Sequence, residues 1–211
     1  MITREAYEAY MGHLLTGDRA ACVQLASGLV EDGVGTKELY TELFQRALYA
    51  VGDLWEGNRI SVATEHLATA ITESVMNLVR PTLLTSPRSG RRAVIACMAN
   101  EFHQIGAKMV ADVLEMNGWE GYFLGANTPS EALIDFIGER HLHWAGLSLS
   151  LESNLPVLPP LIDRLQATYP ALDIWVGGQA FRKRGIELLE GRTGVQYVPS
   201  LQHLEALITG L

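Results

Sequence analysis

The stretch AVIACMANEFHQIG, residues 93–106, decides how this 211-residue chain is read. Its first six residues are apolar, a run short enough for a buried strand and too short for a core helix. They lead directly into Ala99-Asn100-Glu101-Phe102-His103-Gln104-Ile105-Gly106, a segment rich in groups that hydrogen-bond or ligate, and a helix is expected from Gly106 to about Asn117. Strand, polar loop and helix in that order open a βαβ unit, and the rest of the chain repeats the theme. YFLG (122–125) reads as a second strand, WAGLSLS (144–150) as a third, IWVGG (174–178) as a fourth and VQYV (195–198) as a fifth. Between the second and third, Thr128-Pro129-Ser130-Glu131 has the form of a capping box with proline at the first helical position. The alternation predicts an α/β fold: a flavodoxin- or Rossmann-like, doubly wound, parallel five-stranded sheet with right-handed crossovers.

Upstream, the period changes. Residues 1–84 read as helices throughout: 2–15, stopping at Gly17; a second from an Asp18 N-cap to about Gly33; a third from a Thr36 cap through LYTELFQRALYAVGDLW, stopped by Gly57 and Asn58; and a fourth capped by Ser61 and ended at Pro81. Leu39, Leu43, Ala47 and Leu54 recur at close to helical spacing in the third, and Val62, Leu67, Ile71, Val75 and Leu78 do so in the fourth. Four helices with short connections predict an antiparallel four-helix bundle. The polar, breaker-rich TSPRSGRR (85–92) is read as a linker, leaving 93–211 as the α/β domain.

Composition closes off several function classes. The net charge is -8, and the basic residues are scattered without a stripe, which argues against direct nucleic-acid binding. The two cysteines, Cys22 and Cys97, sit in apolar stretches without metal-type spacing, so neither a disulfide framework nor a zinc site is expected. The opening MITREAYEAY is charged and has no apolar core, no apolar run reaches the roughly 18 residues of a membrane span, and the expected compartment is the cytoplasm. No Ser/His/Asp set and no phosphate-binding loop offers an independent catalytic apparatus, so no catalytic residue is assigned.

Ligands of open parallel sheets bind beyond the carboxyl ends of the strands, where strand order reverses. Residues 99–106, Ser148-Leu149-Ser150 and Gly177-Gly178 all fall at such ends. In a flavodoxin-like order strands one, three and four are neighbours, and the three segments line one crevice. Each has an ordinary reading alone: a surface histidine, serines facing a helix, a turn that needs positive φ. Their convergence gives them meaning together. Glu101 and His103 are separated by one residue, which in an extended loop points both side chains the same way. A carboxylate there holds one imidazole nitrogen while the other faces a metal. No second cluster of His, Cys or carboxylates completes a protein cage, and a metal that needs one protein ligand is normally held in a macrocycle.

Glu101-x-His103-x-x-Gly106, then Ser148-Leu149-Ser150, then Gly177-Gly178 resembles the cobalamin-binding signature of methionine synthase, corrinoid methyl carriers and B12-dependent photoreceptors. The resemblance implies that His103 replaces the benzimidazole under the cobalt and that Glu101 orients it. It also implies that Ser148 and Ser150 face that pair or the nucleotide tail, and that Gly106, Gly177 and Gly178 leave room for the tail. Methyl carriers and mutases usually carry Asp where this chain has Glu101; Glu is similar to the CarH-type branch. The usual middle element is Ser-x-Leu, where this chain has Ser150 at the third position. In the bundle, residues 52–66 (GDLWEGNRISVATEH) are similar to the helical cap of CarH-type light sensors and antirepressors, in which a Trp and a Glu-His pair cover the upper face of adenosylcobalamin. That implies Trp55, Val62, Glu65 and His66 as the upper-ligand set, with cobalamin held between bundle and sheet. Val62, Glu65 and His66 stand at i, i+3 and i+4 and so share a helix face; the ordinary alternative is a core Trp and a solvated Glu-His pair. Two departures are notable. No MerR-like DNA-binding domain is read before the bundle, and Glu56 stands where the sensors have a second cobalt-binding His, leaving His66 or His13 as the imidazoles to substitute.

The resulting expectation is a cobalamin-binding sensor or regulatory protein, responsive to light through the Co–C bond of bound alkylcobalamin, that signals to a partner protein such as a transcription regulator. Adenosylcobalamin is the favoured form, with methylcobalamin and hydroxocobalamin open, and self-association is also open. The rival is a corrinoid methyl carrier, the cobalamin subunit of a methyltransferase. A mutase small subunit and a cobalamin store are further alternatives.

Overall fold

In the computed structural model, which describes residues 1–79, 87–182 and 185–210, the chain divides into two units, Met1–Thr85 and Ser86–Leu211. The first is helical: α1 (Arg4–Thr16), α2 (Arg19–Glu31), α3 (Thr36–Glu38), α4 (Arg46–Glu56) and α5 (Val62–Val79). Between α3 and α4, Leu39–Gln45 forms a π-helical stretch, so that 36–56 is one continuous helical arm and the unit is a four-helix bundle. Local chemistry sets the ends. The Thr3 hydroxyl accepts the amide of Ala6, the Asp18 carboxylate that of Ala21 and the Ser61 hydroxyl that of Thr64. Gly17 closes α1 in the left-handed region at φ 76°. The core is Tyr10 and Leu14 of α1, Cys22 and Ala26 of α2, the Leu39-Tyr40 and Leu43-Phe44 pairs, Ala47 and Val51 of α4, and Ile71, Val75 and Met76 of α5.

The second unit is the expected doubly wound sheet. Its parallel strands are β1 (Arg92–Cys97), β2 (Glu120–Gly125), β3 (Trp144–Ser148), β4 (Asp173–Gly177) and β5 (Val195–Tyr197), in the order β2-β1-β3-β4-β5. One face buries Val94, Ala96, Ala145, Leu147, Ile174 and Val176 against α7 (Ser130–Arg140) and α8 (Leu158–Thr168), through Leu133, Ile137, Leu158, Ile162 and Leu165. On the other, α6 (Ile105–Met116) packs on β1 and β3 and against α9 (Leu201–Thr209). Trp119, Trp144 and Trp175 form an aromatic cluster, with Trp119 centred 4.7 Å from Trp144 and 5.8 Å from Trp175. The chain leaves β1 toward β2 on one side and β3 on the other, so the order reverses between β1 and β3. Cys97, Ser148 and Gly177 stand in register there, which brings the three ligand-side segments together.

Several local expectations are corrected. Thr128 caps nothing: its hydroxyl donates to the Gly125 carbonyl at 3.4 Å, α7 begins at Ser130 with Pro129 as its extended cap residue, and Glu131 pairs with Arg164 across the surface. The fixed φ of proline starts the helix without the box. Gly35, not Thr36, precedes the third arm, and the π stretch within it was not anticipated. Leu39, Leu43 and Ala47 are spaced by four, which suits the wider π turn as well as the α turn. α8 and α9 were not read from the sequence. Pro81, the expected end of α5, and residues 85–86 of the expected linker lie outside the described residues. Of the remaining linker, Arg88 pairs with Glu115 at 2.7 Å and donates to the Trp119 carbonyl, Ser89 bonds Gly118 at 2.8 Å, and Arg92 already belongs to β1.

Candidate functional site

The loop after β1 is built around a buried carboxylate. Asn100, in the left-handed region at φ 66°, turns the chain, and Glu101 folds under it with no exposed surface. Glu101 then accepts five hydrogen bonds: from His103 Nδ1 (2.6 Å) and the His103 amide (3.0 Å) on one oxygen, and from the amides of Ser150 (2.8 Å) and Leu151 (3.1 Å) and the Asn154 side chain (3.2 Å) on the other. Burial alone would raise the carboxyl's pKa. The bonds from the His103 ring and the amides of Ser150, His103 and Leu151 outweigh it and hold Glu101 down to about 2. The group is therefore a fixed anion at neutral pH.

That anion sets the state of His103, whose ring is half exposed at 47%. Nδ1 faces that carboxylate, which makes Nε2 the ring nitrogen through which His103 could ligate a metal. The Cys97 thiol donates to the His103 carbonyl at 3.6 Å, and burial followed by the nearby Glu101 charge pushes it up to about 12, so it takes no part as a thiolate. Two large apolar side chains on these loops are exposed, Phe102 (67%) and Leu151.

The other sequence-assigned residues divide by what the structure asks of them. Ser148 ends β3 in register between Cys97 and Gly177. Ser150 reaches the pair through its amide rather than its hydroxyl. Gly178 is at φ 109°, and a Cβ on it would stand 2.0 Å from the Leu149 carbonyl oxygen, so the chain's own packing demands glycine there. Gly177 is also tight, its Cβ position 3.0 Å from the Val198 carbonyl. Gly106, in the first turn of α6, would meet nothing within 4 Å. No contact among the described residues requires glycine at 106. Asn154 was missed. It lies in the 3-10 segment Glu152–Val157, and only the fold brings it from 53 positions away to Glu101.

In the bundle, Trp55 lies in the last turn of α4 and is 39% exposed, and Val62, at the start of α5, is half exposed. Glu65 is mostly covered and accepts from Thr69 at 3.0 Å, and its other oxygen is 3.6 Å from Nε2 of the exposed His66. Trp55 is thus not a core residue. Glu56 is exposed at the α4 terminus, and His13 lies in α1, 3.9 Å from Asp18.

The structure thus defines a doubly wound α/β unit with one carboxylate-held imidazole at its switch point. Residues 91–205 match the B12 binding domain, residues 6–80 match a second B12 binding domain model, and the chain belongs to the B12-binding domain family. It is 31% identical over 153 residues to the HTH-type transcriptional repressor CarA of Myxococcus xanthus, covering 72% of this chain and 51% of the repressor. It is 24% identical over 138 residues to monomethylamine corrinoid protein 2 of Methanosarcina acetivorans, covering 64% of each. The chain therefore spans about half the length of the repressor it matches. In fold it is similar to the Methanosarcina barkeri monomethylamine corrinoid protein, with a TM-score of 0.85 at 15% identity over 98% of both chains. Among the described residues no helix is long and apolar enough to cross a membrane.

Proposed function

We propose that this protein is a cobalamin-dependent sensor that responds to light and passes its state to a partner protein, with His103 as the lower ligand to cobalt. The supporting observation for the ligand is the five-bond anchoring of Glu101, which fixes the His103 tautomer without any contribution from the cofactor. Gly106 is assigned to the nucleotide tail, as are Gly177, Ser148 and Ser150 at the same crevice. Gly178 shapes that crevice through the backbone.

The observation that carries the sensor reading is the grouping at the α4–α5 connection of exposed Trp55, Val62 and His66 with the mostly covered Glu65. An indole, a methyl pair, a carboxylate and an imidazole suit an adenosyl group, which has an aromatic face and hydroxyls. Bound alkylcobalamin supplies a Co–C bond that light breaks, a property of the cofactor. The protein's part is to bind the two states unequally, so that loss of the upper ligand shifts its conformation or its assembly. The higher identity to a transcriptional repressor supports this reading, and a transcription regulator is the partner proposed.

The test uses adenosylcobalamin and hydroxocobalamin side by side. Trp55→Ala and Glu65→Ala should weaken adenosylcobalamin several-fold and leave hydroxocobalamin nearly unchanged, since only the former presents an upper group to them. Equal effects on both would show that these residues serve only the bundle. Size-exclusion chromatography and scattering of dark and illuminated protein test the switch. If neither assembly, shape nor partner affinity changes with light, the sensor reading fails. The identity to monomethylamine corrinoid proteins then favours the second reading, a methyl carrier of a methyltransferase system.

A further inference from the structure

The loop that carries His103 is held from a neighbouring loop by a residue that no motif singles out. Asn127 follows β2, is exposed, and sits in the left-handed region at φ 49°. Its Oδ1 accepts the amide of Asn100 at 2.8 Å, and its own amide donates to the Glu101 carbonyl at 2.8 Å. The next amide, of Thr128, donates to the Cys97 carbonyl at 2.9 Å. Asn100 and Glu101 are thus held by one residue, the first through its side chain and the second through its backbone amide. Asn100 is itself left-handed at φ 66°, a conformation that costs free energy for a residue with a Cβ. An exposed amide that only filled a turn would bond within its own loop. This one instead fixes the turn that sends Glu101 beneath the sheet edge and His103 outward.

We propose that Asn127 is a positioning residue for cobalt ligation: it keeps the β1–α6 loop in its ligating shape before the cofactor arrives. The proposal rests on the reading of His103 as lower ligand. Without the clamp, ordering of Asn100 and Glu101 must be supplied by ligand binding, which lowers the apparent affinity by the fraction of chains in the competent shape.

Two variants separate the clamp from the turn. Asn127→Gly tolerates positive φ and keeps the backbone amide, and so removes only the side-chain acceptor. Asn127→Asp keeps an oxygen at the same place and is the conservative rescue. Full-length protein is titrated with hydroxocobalamin. The lower ligand is read from the absorption spectrum and, after reduction to cob(II)alamin, from nitrogen splitting in the electron paramagnetic resonance signal. The Asn100 amide is followed by hydrogen exchange without cofactor. Asn127→Gly should bind about three- to tenfold more weakly, the worth of one hydrogen bond. It should also show a mixed water- and His-ligated signal and lose protection at Asn100. Asn127→Asp should return all three toward wild type. Wild-type affinity and a pure His signal in Asn127→Gly would overturn the proposal, as would equal loss in Gly and Asp variants tracking a fall in melting temperature. Wild-type protein that binds hydroxocobalamin without nitrogen splitting would overturn the His103 assignment itself, and this role of Asn127 with it.

Discussion

Glu101→Gln keeps the shape of the side chain and leaves it one accepting oxygen instead of two. One carboxylate oxygen takes two donors, the amide and Nδ1 of His103, and the other takes three, from Ser150, Leu151 and Asn154. A glutamine has one carbonyl oxygen, so whichever way it turns, at least two N–H donors face its NH2. A donor left buried without an acceptor costs about 1–3 kcal/mol, and with His103 partly reached by water the pair amounts to about 3 kcal/mol. The same hydrogen bonds can be expressed through the carboxyl's pKa. A carboxyl held at about 2 when folded, against its ordinary value of 4.5 when unfolded, contributes about 3 kcal/mol at neutral pH at 1.36 kcal/mol per pKa unit. Because the folded value is the lower one, that contribution is complete above the unfolded pKa and is lost as pH falls from about 4.5 toward about 2. Urea unfolding of cofactor-free protein, followed by tryptophan fluorescence in a Trp55→Phe background, reports only Trp119, Trp144 and Trp175 of the α/β unit. The Gln variant should lose about 3 kcal/mol at pH 7 and show a flatter decline between pH about 4.5 and 2. A loss below about 0.5 kcal/mol, the scale of an ordinary surface change, would refute the anchoring argument.

Gly178→Ala should destabilise the cofactor-free protein by about 3 kcal/mol or more, because the added Cβ meets the Leu149 carbonyl at 2.0 Å and φ is 109°; an unchanged melting temperature would contradict that packing. Gly106→Ala should do the reverse, stabilising the cofactor-free protein by up to about 1 kcal/mol while weakening cobalamin binding. Undiminished affinity in this variant would remove Gly106 from the tail's path. Asn154→Ala should cost about 1 kcal/mol and reduce the His-ligated fraction of bound hydroxocobalamin, since it takes one donor from Glu101; a pure His signal with unaltered stability would mean that the other four bonds suffice. Neither cysteine should react with a disulfide reagent in native protein at pH 8, because Cys22 is raised to about 11 and Cys97 to about 12, chiefly by burial. Both should react in urea, and rapid labelling of the native protein would overturn the buried assignment.

Much of this protein is legible along the chain because the information is local. Short apolar runs alternating with helical periods set the five-strand α/β class, and Thr3, Asp18 and Ser61 cap helices through amides three residues on. Glu101 and His103 are two residues apart, and their bond needs only an extended turn. What the chain could not declare is whatever depends on partners distant in sequence. Asn154 and Asn127 bear no pattern, and they matter only because the β2-β1-β3 order sets their loops beside residues 100–101. The glycines make the same point. Gly178 and Gly106 belong to one motif by spacing, yet Leu149 requires the first and nothing in the folded chain requires the second. Sequence lists which groups are present; the packing of separate strands decides which of them meet, and the free energy of a hydrogen bond or a clash exists only once they do.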